Sequence, residues 1–431
     1  MSDNGVVATL TQSIPLANVV FRDDLYPRIN TSPETVQKYA EDLDVLPPIE
    51  VNQHNELIDG WHRWTAHRKA KAENIRAVVT PTKSEAEFLE LAIERNAAHG
   101  LQLSQDDKRS MARRIYNVTP EKERDAKKKQ LAKILSVSER TVRDWLSRID
   151  KDSKAERDRR IFDKWMACET NVAIAEQCDC DEKTVRDVIG ELADLPKLRN
   201  QDQAAASHAT DFDPPLYNLW KQQEKTVGLS HYGNSEVRWV DNLLYLYTKP
   251  FDIVVDPFAG SGSTIDICRK RFRRYWVSDR KPIVEREKEI RQRDLTDGLP
   301  ALPRWKDVKL VYLDPPYWVQ AKGHYSDDPT DLGNMPLEQF TGTLAGIVNG
   351  FAKKLSDAYI ALIIQPSQWG APERQYTDHV GDMLRSVKLP VDMRFSAPYE
   401  SQQCNAQMVE WAKANKRCLV LTREIVVWRV K

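Results

Sequence analysis

The sequence predicts an α/β protein whose second half is a mostly parallel sheet, preceded by a smaller α+β region and a charged helical segment. Phe251-Asp-Ile-Val-Val255 is a short β-branched run of the kind buried on both faces of a parallel sheet, and it leads into Asp256-Pro-Phe-Ala-Gly-Ser-Gly-Ser-Thr264. A strand that ends in Gly-x-Gly and opens a helix suits a nucleotide-like ligand. The glycines admit close backbone approach, and the helix offers its unpaired N–H groups. A second such strand, Val308-Lys-Leu-Val-Tyr-Leu313, ends in Asp314-Pro-Pro-Tyr317. Room for intervening βα units separates the two, so both motifs are expected at the carboxyl edge of one sheet, facing one crevice. The third observation is a change at Gln105 from short alternating runs to a helical, charged pattern.

Asp-Pro-Phe-x-Gly-Ser-Gly followed by Asp-Pro-Pro-Tyr resembles the amino-group DNA methyltransferases, which methylate adenine N6 or cytosine N4 using S-adenosyl-L-methionine. The resemblance runs from about Tyr217 to the C-terminus and implies a Rossmann-like, S-adenosylmethionine-dependent methyltransferase sheet over 216–431. It makes Asp314, Pro315, Pro316 and Tyr317 the catalytic set. It places the cofactor against Asp256, Pro257, Phe258, Gly260, Gly262 and Thr264, with Asp279, at the end of the strand Arg274–Ser278, gripping ribose hydroxyls. Asp294 is a further candidate on the adenine side. Tyr217-Asn-Leu-Trp220 and Ser230-His-Tyr-Gly233 resemble the segment that encloses methionine in this family.

The chemistry accounts for these residue types. An exocyclic amino nitrogen is a poor nucleophile because its lone pair is delocalised into the base. Asp314 and the Pro315 carbonyl can each accept one of its N–H bonds and draw it towards tetrahedral geometry. The prolines stiffen the loop and remove competing N–H donors. Tyr317 offers a flat face to a base taken out of the duplex. The nitrogen then attacks the sulfonium methyl directly, with no covalent enzyme intermediate. Methylation at cytosine C5 needs a thiolate, usually after proline, and the chain has no Pro-Cys pair.

In chain order, residues 1–13 read as a loose tail. Residues 14–80 alternate short strands (Ile14–Val19, Ile49–Val51, Leu57–Asp59) with a helix over about Ser32–Leu43. Asp59-Gly-Trp-His-Arg63 opens a basic helix and resembles the Gly-x-x-Arg phosphate box of the ParB N-terminal domain, with Gly60 and Arg63 as candidate phosphate contacts. Asn96 and His99 resemble the second phosphate box. His62 and His99 stand where that family often has arginine. Two readings stay open for residues 1–100: a site for CTP or another nucleotide, or a DNA-adapter or dimerisation module on the same fold, with Arg63 and His62 satisfying a local turn.

Residues 101–195 read as helical. Gln130–Leu146 has helix-turn-helix spacing, with Ser138 capping the second helix. Arg140, Thr141 and Arg143 then lie where base edges are read, and Lys127 and Lys128 suit phosphate contact. Val172–Ile189 repeats the pattern more weakly, Thr184-Val-Arg186 repeating Thr141-Val-Arg143. It is either a second helix-turn-helix or a packing or dimer element. Residues 196–215 read as a linker. Arg269-Lys-Arg-Phe-Arg-Arg274 reads as a solvated helix end or a phosphate track. Gln320–Met335 reads as a loop that orders on DNA, and Ala358–Ile364 and Leu419–Val430 complete the sheet.

The 431 residues carry 64 basic and 64 acidic side chains, so any surface for nucleic acid must be local. Six cysteines do not make a disulfide scaffold, and Cys168, Cys178 and Cys180 lack a fourth ligand at finger-like spacing; no metal is expected. With no signal-like start and no membrane-length apolar run, the expected location is the cytoplasm. The reading is a site-specific DNA methyltransferase acting on a flipped base in double-stranded DNA, adenine N6 favoured over cytosine N4, with homodimerisation open. The alternatives are a ParB-type partition or regulatory protein whose methylase-like half senses cofactor, and methylation of RNA or a protein amide.

Overall fold

The computed structural model describes residues 11–23, 32–98, 104–221, 236–302, 304–369, 374–398 and 405–431, and the chain divides into two units, residues 1–156 and 157–431. The first unit opens with β1 (Thr11–Pro15), α1 (Pro33–Ala40), β2 (Ile49–Val51), β3 (Leu57–Asp59), α2 (Trp61–Lys69) and β4 (Asn74–Val79). Its four strands pair in the order β1-β4-β2-β3. Alternate side chains face inward, and Ile14, Ile49, Val51, Leu57, Trp64, Ile75 and Ala77 form the core. The tail is shorter than the sequence suggests: Thr11, Gln12 and Ser13 already pair with Val78, Ala77 and Arg76.

Four helices follow: α3 (Glu85–Ala98), α4 (Gln105–Val118), α5 (Arg124–Ile134) and α6 (Glu139–Met166). Ser104 and Asp107 form a capping box at the start of α4. The apolar face read as a helix-turn-helix is buried as one cluster, in which Leu131, Ala132, Leu135, Val142 and Leu146 meet Leu89, Ile93, Met111, Ile115 and Tyr116. Ser138 caps α6, its hydroxyl accepting the Thr141 N–H at 3.1 Å.

In the second unit, α7 (Asn171–Gln177) and α8 (Glu182–Leu192) repeat that hairpin bond for bond. Val137 N–H donates to the Ala132 carbonyl and Cys180 N–H to that of Ala175, each at 3.0 Å. Ser136 and Asp179 both take positive φ, and Asp181 caps α8 at Thr184 as Ser138 caps α6. The core of this copy is Ile161, Ile174, Ala175, Cys178, Val185 and Val188. It is a second helix-turn-helix in geometry. Burial of Cys178 pushes its thiol up, as expected of a packing residue.

Next come α9 (Asn200–Ala206), α10 (Val237–Tyr247), β5 (Ile253–Asp256), α11 (Ser263–Lys270), β6 (Arg274–Asp279), β7 (Arg291–Gln292) and β8 (Val308–Leu313). They are followed by α12 (Leu337–Ala352), β9 (Ala358–Ile364), β10 (Ser367–Trp369), β11 (Gln375–Thr377), α13 (His379–Ser386), β12 (Val391–Pro398), α14 (Ala406–Ala414) and β13 (Thr422–Val430). Seven strands form one sheet in the order β12-β13-β9-β8-β5-β6-β7. β7, β6, β5, β8 and β9 run parallel, while β13 is antiparallel to both its neighbours. This is the Rossmann-like sheet expected from the two motif-bearing strands. It is covered on both faces, by Val255, Val311, Leu313, Ile360 and Leu362 with α12 on one side and by Val254, Leu310, Tyr312, Ala361 and Ile363 with α10 and α11 on the other.

Three expectations change here. The sheet's unit begins well before residue 216, because Met166 at the end of α6 is part of its core, with Phe162 and Trp165 packed beside it. Residues 196–215 are not a free linker: they contain α9, bury Ala206, and bury His208, which hydrogen-bonds Asp241 at 2.9 Å. The run Arg269–Arg274 is neither a solvated helix end nor a phosphate track, since Arg271, Arg273 and Arg274 are buried. Arg271 forks onto both Asp241 oxygens at 2.8 and 2.7 Å and reaches Asp211 at 2.6 Å. Arg273 donates to the carbonyls of Ala206 and Thr248, and Arg274 to that of Trp165. Burial alone would raise Asp241, but His208 and Arg271 outweigh it and hold the carboxyl below its usual range. These planar donors fasten the preceding segments to the sheet, a task for which the fork of arginine suits better than lysine.

Arg271→Met would leave Asp241 and Asp211 without their buried counter-charge. A loss of about 3–5 kcal/mol is expected in urea unfolding of the full chain, as for other broken buried pairs. Arg269→Met, which removes a half-exposed pair with Glu289, should cost about 1 kcal/mol or less.

Candidate active site

The strand order reverses between β5 and β8, which pair in parallel, and this is where the two motifs emerge side by side. β5 ends at Asp256, and the following turn reaches α11 through Gly260 (φ +51°) and Gly262 (φ +79°), both in the left-handed region. A Cβ on Gly262 would lie 2.8 Å from Cδ of Arg286. Arg286 closes over this turn, donating to the Gly262 carbonyl at 3.0 Å and to both oxygens of Asp266.

Asp256 is buried beneath the turn, accepting from the Phe258 N–H at 2.9 Å and the Thr264 hydroxyl at 2.6 Å. Burial pushes its carboxyl up to about 7 against the lowering effect of those bonds, and the charges of Asp314 and Asp279 push the same way. Asp279 accepts the Gly260 N–H at 2.9 Å and the Lys281 N–H at 2.9 Å. A carboxylate therefore holds the glycine amide that a dinucleotide fold offers to a pyrophosphate. Asp294 pairs with Arg280 at 2.8 Å and accepts the Thr296 N–H.

Asp314 lies beyond β8, where its Oδ1 accepts the Tyr317 hydroxyl at 3.0 Å. Burial drives the Tyr317 phenol well above its ordinary value. A cleft of about 840 Å³ joins these groups, lined by Asp256, Pro257, Phe258, Gly260, Thr264, Asp279, Asp294, Asp314 and Pro316 among others. Its size suits an organic ligand larger than a single heterocycle. Gly262 and Tyr317 stand behind this lining. Its far wall is residues 324–335, part of the Gln320–Met335 segment, which is held by hydrogen bonds of its own. Asn334 bonds the carbonyls of Ser326 and Asp328, Asp331 accepts from Ser326 and Gly333, and Trp318 donates to the Met335 carbonyl at 2.8 Å. Arg280 ties the two walls together through Asp328 at 2.6 Å and Thr330 at 2.9 Å.

Sequence reading missed Arg280 and Arg286. Arg280 directly follows the strand-end Asp279, a position that could have marked it, whereas nothing local announces Arg286. Among the described residues no group of three or more His, Cys, Asp and Glu side chains is placed to hold a metal ion. No helix among them is long and apolar enough to cross a membrane.

The first unit sorts its candidates differently. Arg140 and Arg143 are exposed at the start of α6, Arg143 only loosely paired with Glu139 at 3.5 Å, and Thr141 binds the cap. Lys127 and Lys128 are turned inward instead. Lys127 pairs with Glu90 at 2.5 Å, and Lys128 with Asp125 and Asp150. They are stabilising pairs of the helical core and poor phosphate contacts. Gly60 takes φ +104° as the cap of α2, and Arg63 is held by Asp59 at 2.6 Å and the Pro48 carbonyl at 2.8 Å. That arrangement favours the local-turn reading of Arg63. The Asn96 amide donates to the Ala92 carbonyl of its own helix. His99 and Ser230–Gly233 fall outside the described residues.

Part of the chain is similar to a known methylase family. Residues 117–283 match a family model described as DNA methylase, of the N6/N4 type. The match takes in the glycine turn and Asp279. A curated relative, the transcriptional regulator NovG of Streptomyces niveus, is 38% identical over 94 residues, 22% of this chain and 29% of that protein; the chain thus spans under a third of its length. Among solved structures, a ParB from Caulobacter crescentus complexed to the centromeric parS site is 17% identical over 42% of this chain and 86% of its own, with a TM-score of 0.23. A SAM dependent methyltransferase from Archaeoglobus fulgidus is 13% identical over 45% of this chain and 94% of its own, with a TM-score of 0.28. Both structural likenesses are loose.

The Asp256 value carries a sign for stability. Its folded-state pKa lies above the unfolded one near 4, so the folded chain binds the proton more tightly between them. Its contribution to stability should fall as pH rises from about 4 to about 7 and level off above. Urea midpoints compared with Asp256→Asn across that range check it: the difference between the two proteins should carry the slope.

Proposed function

We propose that the chain transfers a methyl group from S-adenosyl-L-methionine to the exocyclic amino group of a base flipped out of double-stranded DNA, adenine N6 before cytosine N4. The observation that carries this reading is the convergence of Asp256, Asp279 and Asp314 on one cleft at the switch point, with Asp279 occupying the glycine amide. Seven acidic side chains line the cleft against three of Lys and Arg, Arg280 being already paired twice. Such a site disfavours phosphates and favours a ligand that carries positive charge.

S-adenosylmethionine fits on those terms, and when bound it supplies an electrophilic methyl group on a sulfonium. Asp279 and Asp294 would hold its nucleoside side, and Phe258, Gly260 and Thr264 would line its path. Asp314 accepts one amino N–H and the Pro315 carbonyl the other, while Tyr317 gives the base a face to stack on. The preference for adenine follows the Asp-Pro-Pro-Tyr form of the motif, since Ser-Pro-Pro-Tyr is commoner among cytosine N4 enzymes. The test is transfer of tritium from labelled cofactor into DNA, with nucleoside analysis of the product. Asp314→Ala should cut the rate by about a hundredfold or more while cofactor binding survives. Retained turnover would place the chemistry elsewhere. Label in no nucleic acid at all would favour the regulatory alternative, which the partial likeness to a transcriptional regulator keeps in view.

The exposed start of α6 supports a DNA-reading role for the front of the chain. Arg140→Ala or Arg143→Ala should each relax methylation at particular positions of the site, by about 1–3 kcal/mol of discrimination for a base-edge contact. Lys127→Ala should instead lower the thermal midpoint and leave the salt dependence of DNA binding nearly unchanged, because its ammonium already faces Glu90. Methylation mapped by long-read sequencing for each variant separates these outcomes.

A further inference from the structure

Arg423 sits near the start of β13, opposite Ala397 of β12, and its side chain is buried. Its guanidinium carbon lies over two aromatic rings, 5.1 Å from the centre of Tyr317 and 5.6 Å from that of Trp239 on α10. Trp239 is itself 1% exposed, packed in the core with Leu243, Val254 and Phe395. The order is thus core tryptophan, arginine, motif tyrosine, and finally Asp314, whose Oδ1 takes the tyrosine hydroxyl at 3.0 Å.

A planar cation over an aromatic face gives an attraction that strengthens as water is excluded, and the flat guanidinium also fixes the plane of the ring it covers. One face of Tyr317 is therefore occupied by Arg423. Fixing the ring fixes where its hydroxyl points, and through it one oxygen of Asp314. Arg423 is not among the residues that line the cleft, so cofactor has no direct contact to lose when it is changed.

We propose that Arg423 is a positioning residue for methyl transfer: backed by Trp239, it sets the plane of Tyr317, and through the Tyr317 hydroxyl it sets the rotamer of Asp314. This rests on the methyltransferase reading of the same site. The guanidinium itself lies outside the lining of the cleft.

The experiment uses the full chain with labelled cofactor and DNA. Arg423→Met keeps most of the bulk but loses the charge and the plane. It should lower kcat about tenfold or more while the calorimetric Kd for cofactor stays within about twofold. Arg423→Lys restores a cation without the flat stack and should fall between the two. Tyr317→Phe removes the hydroxyl relay, so adding Arg423→Met to it should cost clearly less than in the wild-type background. A merely structural arginine would give additive losses in that cycle. Additive losses, or an unchanged kcat in Arg423→Met, overturn the inference and leave the methyltransferase reading standing. No transfer by the wild-type chain overturns both. Should Arg423→Met fail to fold, the Lys variant alone and combined with Tyr317→Phe gives the same cycle.

Discussion

The parallel pairing of β5 with β8 is the contact on which the candidate site depends. These strands are far apart in sequence, and only their adjacency, with Ile253, Val254 and Val255 in register with Val308, Leu310 and Val311, brings Asp256 and Asp314 to one edge. The cost of that arrangement is a crowd of carboxylates around one cleft, with Asp256 fully buried among them. The fold meets it with N–H and O–H donors from its own turns for Asp256 and Asp279, an arginine for Asp294 and a phenol for Asp314. What remains is a cleft whose field suits a cation.

Much of this was legible because it is local. The β-branched runs Val308–Leu313 and Ala358–Ile364 carry the bounds found in the sheet, whereas Ile14–Val19 and Leu419–Val430 miss an end by three residues or more, and the two glycines sit where a left-handed turn opens α11. The helix-turn-helix and its Ser138 cap follow from spacing and a single hydroxyl. What a sequence does not display is which of two chemically equal groups faces inward. Lys127 and Lys128 look like a phosphate track until Glu90 and Asp150, residues on other helices, turn out to be their partners.

The basic run before β6 makes the same point more sharply. Charge density suggested solvent, yet the three buried arginines answer backbone carbonyls and two aspartates supplied by segments that precede the sheet. Long-range hydrogen-bond bookkeeping of that kind leaves no periodic trace. For the same reason Arg286 and Arg423 escape a reader of motifs: each reaches its site from a different strand or turn, and neither carries a neighbouring signature.

The helix α6 has a consequence for how such a chain can be rearranged. One end of this 28-residue element presents Arg140 and Arg143, while its other end contributes Met166 to the core beneath the sheet. A recombination event that cut at the polar stretch near residue 200 would sever the seven-stranded sheet from part of its own hydrophobic interior. An exchange that respects folding must cut earlier, ahead of the segment that supplies Phe162, Trp165 and Met166 to that interior. The stretch that holds Phe162, Trp165 and Met166 is therefore inherited with the sheet more readily than apart from it, whatever precedes it in the chain.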